Sequence, residues 1–209
     1  MSVFRIVVLA SGAGTNLQAI LDQLHGTDAG GRLIEVAGVG SDKPDAGALR
    51  RAEAAGIERA VFESADFPDR GARDDAIGDW AEARGADLIA LAGYMQLLSP
   101  GIVARFRNRI VNVHPALLPS FPGLDAVAQA LAHGVKVTGV SIHFVDEGVD
   151  SGPLIAQRAV PVPQGADWDT LEVEIHRAEH ALYPQAIRMI AEGRVRIDPR
   201  NPRRVLIDE

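Results

Sequence analysis

Short runs rich in β-branched and apolar residues recur at residues 5–10, 33–40, 59–62, 87–91 and 110–113, with helix-length stretches between most of them. That alternation constrains the fold more than any other feature of the chain. Strands separated by helices and running the same way are the repeating unit of a parallel α/β sheet. Runs such as VVLA and LIALA are apolar at every position, which suits strands covered on both faces in a doubly wound sheet. In open sheets of this kind ligands lie outside the carboxyl ends of the strands, so the loops after each run are where chemistry is expected.

Beyond Pro115 the pattern changes. A Pro-rich loop, HPALLPSFPG, leads to a helix expected near residues 124–133, then to strands near 137–144 and 154–160 that flank the loop 145–153 and read as an antiparallel pair. A long helix is expected near 169–192, with Asp167 or Asp169 as its N-cap and Gly193 as its stop. The tail RIDPRNPRRVLIDE reads as a surface strand or a loose end. No repeat with the period of a solenoid occurs, and no long low-complexity segment.

Composition narrows the function classes. With 209 residues, 47% hydrophobic and 23% charged, the chain can bury a core of its own and fits one domain. The net charge of −7 argues against a partner bound through a basic face, as nucleic acid would be, so an anionic ligand needs a local site. The absence of cysteine excludes disulfides, thiolate nucleophiles and cysteine-bearing metal sites, and is compatible with a cytoplasmic location. The first apolar run is interrupted by Arg5 and is too short for a signal peptide or a membrane span.

Four segments could carry chemistry. SGAGTN, Ser11 to Asn16, follows the first strand and precedes a helix expected to begin near Leu17. Glycines there let a backbone approach a ligand, and a helix N-terminus offers unpaired N–H groups to a phosphate. A dinucleotide fingerprint would place glycine or alanine where Leu17 stands. Asp42 does occupy the place of a ribose-binding acid, so Leu17 weakens the oxidoreductase reading without eliminating it.

Asn112 and His114 lie two apart at the end of the fifth strand and therefore on one side of it, where both can aim donors at one carbonyl oxygen. Asp150 lies in an acidic loop with Asp146 and Glu147, a solvated turn unless its carboxylate meets an imidazole. EIHRAEHALYP places His176, Glu179, His180 and Tyr183 in the long helix. The spacing resembles HxxEH, but no third ligand is evident, so no metal is expected. The charge run DFPDRGARDD reads as a solvated helix start that could hold one functional arginine.

Taken in order, VVLASGAGTNLQAI, LAGYMQLLSP, NVHPALLPSFPG, SIHFVDEGVDSGP and EHALYP resemble one family over most of the chain, the folate-dependent phosphoribosylglycinamide formyltransferases. The resemblance implies a Rossmann-like, mostly parallel sheet in a single domain, with a phosphate-binding half at about 1–105 and a folate-binding, catalytic half at about 106–209. It implies a catalytic set of Asn112, His114 and Asp150. It places the ribonucleotide phosphate on Gly14, Thr15 and Asn16 and the substrate amine near Glu179. The folate would meet Arg70, Met95, Gln96, Leu97, Leu98, Asn112 and the loop Asp146, Glu147, Gly148, Val149 and Asp150. It implies 10-formyltetrahydrofolate as cosubstrate, with no metal, nucleic acid or membrane, and a cytoplasmic monomer or homodimer.

Departures are specific. Ala13 stands where relatives carry a polar residue, Asp125 and Val127 where they often carry histidines, and Gln96 where arginine is common; Arg73 lies one turn from Arg70 as a rival for the ligand contact. The implied reaction is attack of the glycinamide amine on the formyl carbon in a step of purine synthesis. Asn112 and a protonated His114 would stabilise the oxyanion, and Asp150 would keep the imidazole charged. Competing readings are a formyltetrahydrofolate hydrolase and a methionyl-tRNA formyltransferase, whose usual extra domains are not expected here, or a non-catalytic binding module on the same fold.

Overall fold

The aliphatic run Ile6 to Leu9 is fully buried and forms the end of β1 (Ser2–Leu9). Side chains of this size stabilise the fold by about 1.5–3 kcal/mol each when removed from water. The computed structural model describes residues 2–208, divided into compact units at Met1–Val111 and Asn112–Glu209.

In the first unit β1 lies between β3 (Arg32–Ser41) and β5 (Leu88–Leu91), parallel to both. Leu9 is level with Gly40 on one side and Leu91 on the other, so these strands end together and their loops leave from one edge. A Cβ on Gly40 would lie 2.7 Å from a methyl of Leu9, so glycine is what lets the neighbouring strands keep this close packing. Strand β2 (Asp28–Ala29) pairs antiparallel with the start of β3, and β4 (Arg59–Val61) runs parallel to its end.

Helices α1 (Thr15–Leu24), α2 (Gly47–Ala54), α3 (Arg70–Ala83) and α4 (Pro100–Arg105) complete the unit. Helix α1 starts at Thr15 rather than near Leu17, because Gly14 turns the chain through a left-handed conformation with φ of 75°. Helix α3 is capped by Asp69, whose carboxylate accepts from the Ala72 N–H at 2.9 Å.

Strand β6 (Ile110–His114) carries the chain into the second unit, where β7 (Val137–Phe144) is flanked by β6 and β8 (Leu154–Pro161). As expected, β7 and β8 are antiparallel. The short α5 (Ala126–Ala132) precedes them, and the long α6 (Trp168–Ala191) packs on both. Of the two candidate caps it is Asp167 that accepts from the Thr170 N–H, at 2.9 Å, and Gly193 follows the helix at φ of 75°. The tail is no loose end: β9 (Val195–Asp198) and β10 (Asn201–Ile207) form an antiparallel hairpin, and Arg203 donates to the Ser151 carbonyl. The fold is α/β, with mostly parallel strands and an antiparallel addition toward the C-terminus.

Candidate active site

The SGAGTN loop turns its acceptors inward. The Gly12 carbonyl accepts from the Ala48 N–H at 3.1 Å, the Ala13 carbonyl from Arg51 at 2.8 Å, and the Gly14 carbonyl from the Gln18 N–H at 2.9 Å. What the helix start can present to a ligand is therefore its first-turn N–H groups, which have no intrahelical acceptor. Gly14 is buried, and a Cβ there would lie 2.6 Å from the Ala48 backbone. Its small size thus serves the approach of α2 rather than of a ligand. Gly12 is exposed with nothing within 4 Å of its Cβ position, so it is the glycine that leaves open space.

Across the same sheet edge lies the loop after β5. The Ser11 N–H donates to the Gly93 carbonyl at 3.0 Å, and the Ser11 hydroxyl accepts from the Met95 N–H at 2.9 Å, which joins the two loops. Met95 and Leu97 are exposed, Gln96 and Leu98 half-buried. Asp42 does not stand free as a ribose-binding acid would: Gln96 donates to it at 2.9 Å. The rival arginines separate clearly. Arg70 is exposed at the start of α3, whereas Arg73 is buried against Asp74. The charge run is therefore only partly a solvated helix start.

In the second unit the structure brings Asn112, His114 and Asp150 together. Asn112 Nδ2 lies 3.4 Å from Asp150 Oδ1, and His114 Nδ1 lies 3.3 Å from Asp150 Oδ2. Period-two geometry on β6 sends both side chains to one carboxylate. Asp150 has a positive φ of 49° and its Oδ2 also accepts from the Gly123 N–H at 2.8 Å. The loop before it is wound tightly, since Asp146 accepts from the Gly148 N–H and the Ser151 hydroxyl. Glu147 and Val149 are exposed at its tip.

His114 has an acceptor at each ring nitrogen. Its Nε2 lies 2.8 Å from the Phe121 carbonyl, which can only accept, so that nitrogen carries the hydrogen in the neutral ring. The Asp150 carboxylate then faces a lone pair. Burial lowers the His114 pKa, and although Asp150 and the Phe121 carbonyl pull it upward, the net shift is down. This departs from the expectation of an imidazole kept charged by Asp150: desolvation outweighs the carboxylate. For Asp150 burial acts upward, but hydrogen bonding from His143 and Gly123 and the nearby imidazoles outweigh it, holding the carboxyl below its usual range.

His143 is a participant the sequence reading did not single out. It is buried on β7, with Nδ1 2.8 Å from the Phe144 carbonyl and Nε2 3.5 Å from Asp150 Oδ1 and 3.3 Å from Asn112 Nδ2. The Phe144 carbonyl requires a hydrogen on Nδ1, so Nε2 can accept from Asn112 in the neutral ring and donates to Asp150 only when the ring is protonated. This fixes the amide with its nitrogen toward His143 and Asp150. The signal was a histidine two positions after Ser141, on the same side of the strand.

Elsewhere on α6, Glu179 is buried and its charge helps raise the pKa of Tyr183, for which burial is the main cause. His176 and His180 stack with ring centroids 5.9 Å apart. Among the described residues no cluster of His, Asp and Glu converges as a metal site.

A family model described as formyl transferase matches residues 4–187. The phosphoribosylglycinamide formyltransferase of Bacillus subtilis is 40% identical over 188 residues, 89% of this chain and 94% of that protein. The trifunctional purine biosynthetic protein adenosine-3 of Drosophila melanogaster is 44% identical over 195 residues, 93% of this chain but 14% of that protein. The crystal structure of glycinamide ribonucleotide transformylase 1 from Symbiobacterium toebii matches with a TM-score of 0.92 at 49% identity, covering 99% of this chain and 95% of that one. The chain belongs to the formyl transferase family, and within it to the phosphoribosylglycinamide formyltransferases.

Proposed function

We propose that this chain transfers the formyl group of 10-formyltetrahydrofolate to the amine of glycinamide ribonucleotide, using Asn112, His114 and Asp150. The observation that carries the reading is the convergence of Asn112 and His114 on opposite oxygens of one Asp150 carboxylate. The amine nitrogen bonds to the formyl carbon, whose oxygen becomes an oxyanion that the Asn112 amide meets by turning to it one N–H from its long contacts with His143 and Asp150. The amine sheds a proton. Asp150 relays it to Nδ1 of neutral His114, and both ring nitrogens then carry hydrogens toward acceptors, Phe121 O and Asp150. As the bond to the folate N10 breaks, the proton returns to that nitrogen and tetrahydrofolate leaves.

The first turn of α1, from Gly14 through Thr15 and Asn16, is the proposed phosphate seat, and Glu179 the partner of the substrate amine. Met95, Gln96, Leu97 and Leu98 of the first unit are proposed to contact the pterin, as are residues 146–150 of the second, and exposed Arg70 to contact the remainder of the folate. The protein would act in the cytoplasm, as a monomer or homodimer, without a metal.

The test is absorbance detection of deformylated folate with and without glycinamide ribonucleotide. Product formation that requires the acceptor supports the transferase. Equal turnover without it would make the protein a hydrolase, and no turnover a binding module.

A further inference from the structure

The loop from Tyr94 to Ser99 has alternating exposure. Met95 and Leu97 stand out at 58% and 59% exposed, while Tyr94 and Ser99 are buried. A short loop that lifts large apolar side chains into water gains little from their packing, so its shape depends on what grips it from inside.

That grip is polar and centred on Arg73. Its Nη2 donates to the Leu97 carbonyl at 3.1 Å and its Nη1 to Gln96 Oε1 at 3.0 Å. The other end of the Gln96 amide donates to Asp42 at 2.9 Å, so the side chain is strapped at both ends. Asp74 fixes the guanidinium by accepting from Nε at 2.9 Å and Nη2 at 2.7 Å. With its second oxygen Asp74 accepts from the Ser99 N–H, while the Met95 N–H is held by Ser11. The backbone is thus tied at residues 95, 97 and 99, and the intervening side chain at 96.

Arg73 and Asp74 are 2% and 0% exposed. A buried ion pair is a weak source of stability, because desolvating both charges offsets their attraction and an apolar pair would serve as well. Three of the four ties just named run through this pair, to backbone or to Gln96. Only the planar fork of arginine reaches Asp74, Gln96 and a carbonyl at once; a lysine ammonium is a single point of charge.

We infer that Arg73 is a positioning residue that holds the 95–99 backbone ready for the folate before the ligand arrives. This rests on the reading of that loop as the pterin seat. Binding to a loop already ordered avoids the entropy loss of ordering it on contact, so the effect falls on folate affinity and not on ribonucleotide affinity.

The test compares Arg73→Lys, Gln96→Leu and the double variant with the parent. Calorimetry gives dissociation constants for 5-formyltetrahydrofolate and for glycinamide ribonucleotide, and amide hydrogen exchange at Met95 and Ser99 is followed without ligand. For Arg73→Lys we expect folate affinity to fall about tenfold, as for loss of preorganisation. Ribonucleotide affinity should stay unchanged and exchange at Ser99 should accelerate. Because Gln96 acts through the same guanidinium, the double variant should be weaker than the parent by less than the sum of the single losses. Should Arg73→Lys fail to fold, Gln96→Leu keeps the buried Arg73–Asp74 pair intact, although it takes the donor from Asp42, and must itself accelerate exchange in the loop. Unchanged exchange and folate affinity in a folded Arg73→Lys protein would overturn the inference, as would equal losses for both ligands. If the parent bound no folate, the pterin reading would fall, and exchange alone would still decide whether Arg73 holds the loop.

Discussion

Each oxygen of Asp150 serves a different partner, and that division makes the catalytic proposal testable one residue at a time. Oδ2 faces His114 and the Gly123 N–H; Oδ1 faces Asn112 and His143. Because Asp150 pulls the His114 pKa upward against burial, Asp150→Asn removes the upward pull and the pKa should fall further. NMR titration of His114 reads the shift, and single-turnover formyl transfer should slow by roughly 10²–10⁴, the range for a lost acid–base function. An unchanged pKa with full activity would return Asp150 to an ordinary loop acid. Asn112→Ala should lower kcat by about 10²–10³ through loss of an oxyanion donor, with ligand dissociation constants little changed. Asn112 and His114 were legible because a strand repeats every second residue. His143 was not, since one histidine inside VTGVSIHF looks like core. Arg73 was hidden by its charged neighbours, although its spacing from Ile77 and Ala81, both buried on α3, is that of a helix face turned inward.

At the scale of elements, the loop before α1 separates two glycines that the sequence made look alike. Gly14→Val meets both a left-handed backbone and the Ala48 contact, so it should destabilise the fold and weaken every ligand together. Gly12→Val projects into open space. If the adjoining helix start is the phosphate seat, Gly12→Val should weaken glycinamide ribonucleotide binding while the folate dissociation constant and the melting temperature stay close to the parent's. Calorimetry with both ligands decides it, and an equal loss for both would refute the phosphate assignment. The helix starts are a separate case. Asp69 and Asp167 each cap through a carboxylate accepting an N–H three residues on, so replacing either with alanine should lower the midpoint of urea unfolding. The periodic elements and the Asp167 cap were readable from local pattern alone. The β9–β10 hairpin was not, because Pro199 and Pro202 break the strand pattern at its turn and its Arg203 contact with Ser151 depends on residues distant in sequence.

For the whole molecule, the buried ionisable groups set how stability should vary with pH. His114 titrates below its ordinary value of 6.5 in the folded protein, mainly through burial. Between those values the unfolded chain binds more protons than the folded one, so stability is present above 6.5 and is lost as pH falls through the lowered pKa. Asp150 acts in the same sense further down, below its ordinary 3.8, because its folded pKa is also lowered. Tyr183 and Tyr94 act at the other limit, since burial raises both phenols above 10. Above that pH the unfolded chain releases protons that the folded protein retains, and stability falls. The expected profile is therefore a plateau between about 6.5 and 10 with a decline on each side. Urea unfolding across this range measures it, and variants assign the limbs. His114→Gln should flatten the decline just below 6.5 and leave the alkaline limb alone, whereas Tyr183→Phe should reduce the slope above 10 without altering the acid side. Since each variant also changes packing, the deciding quantity is the slope with pH rather than the absolute stability. An acid limb as steep in His114→Gln as in the parent would show that the buried imidazole is not what the folded state shields from protons.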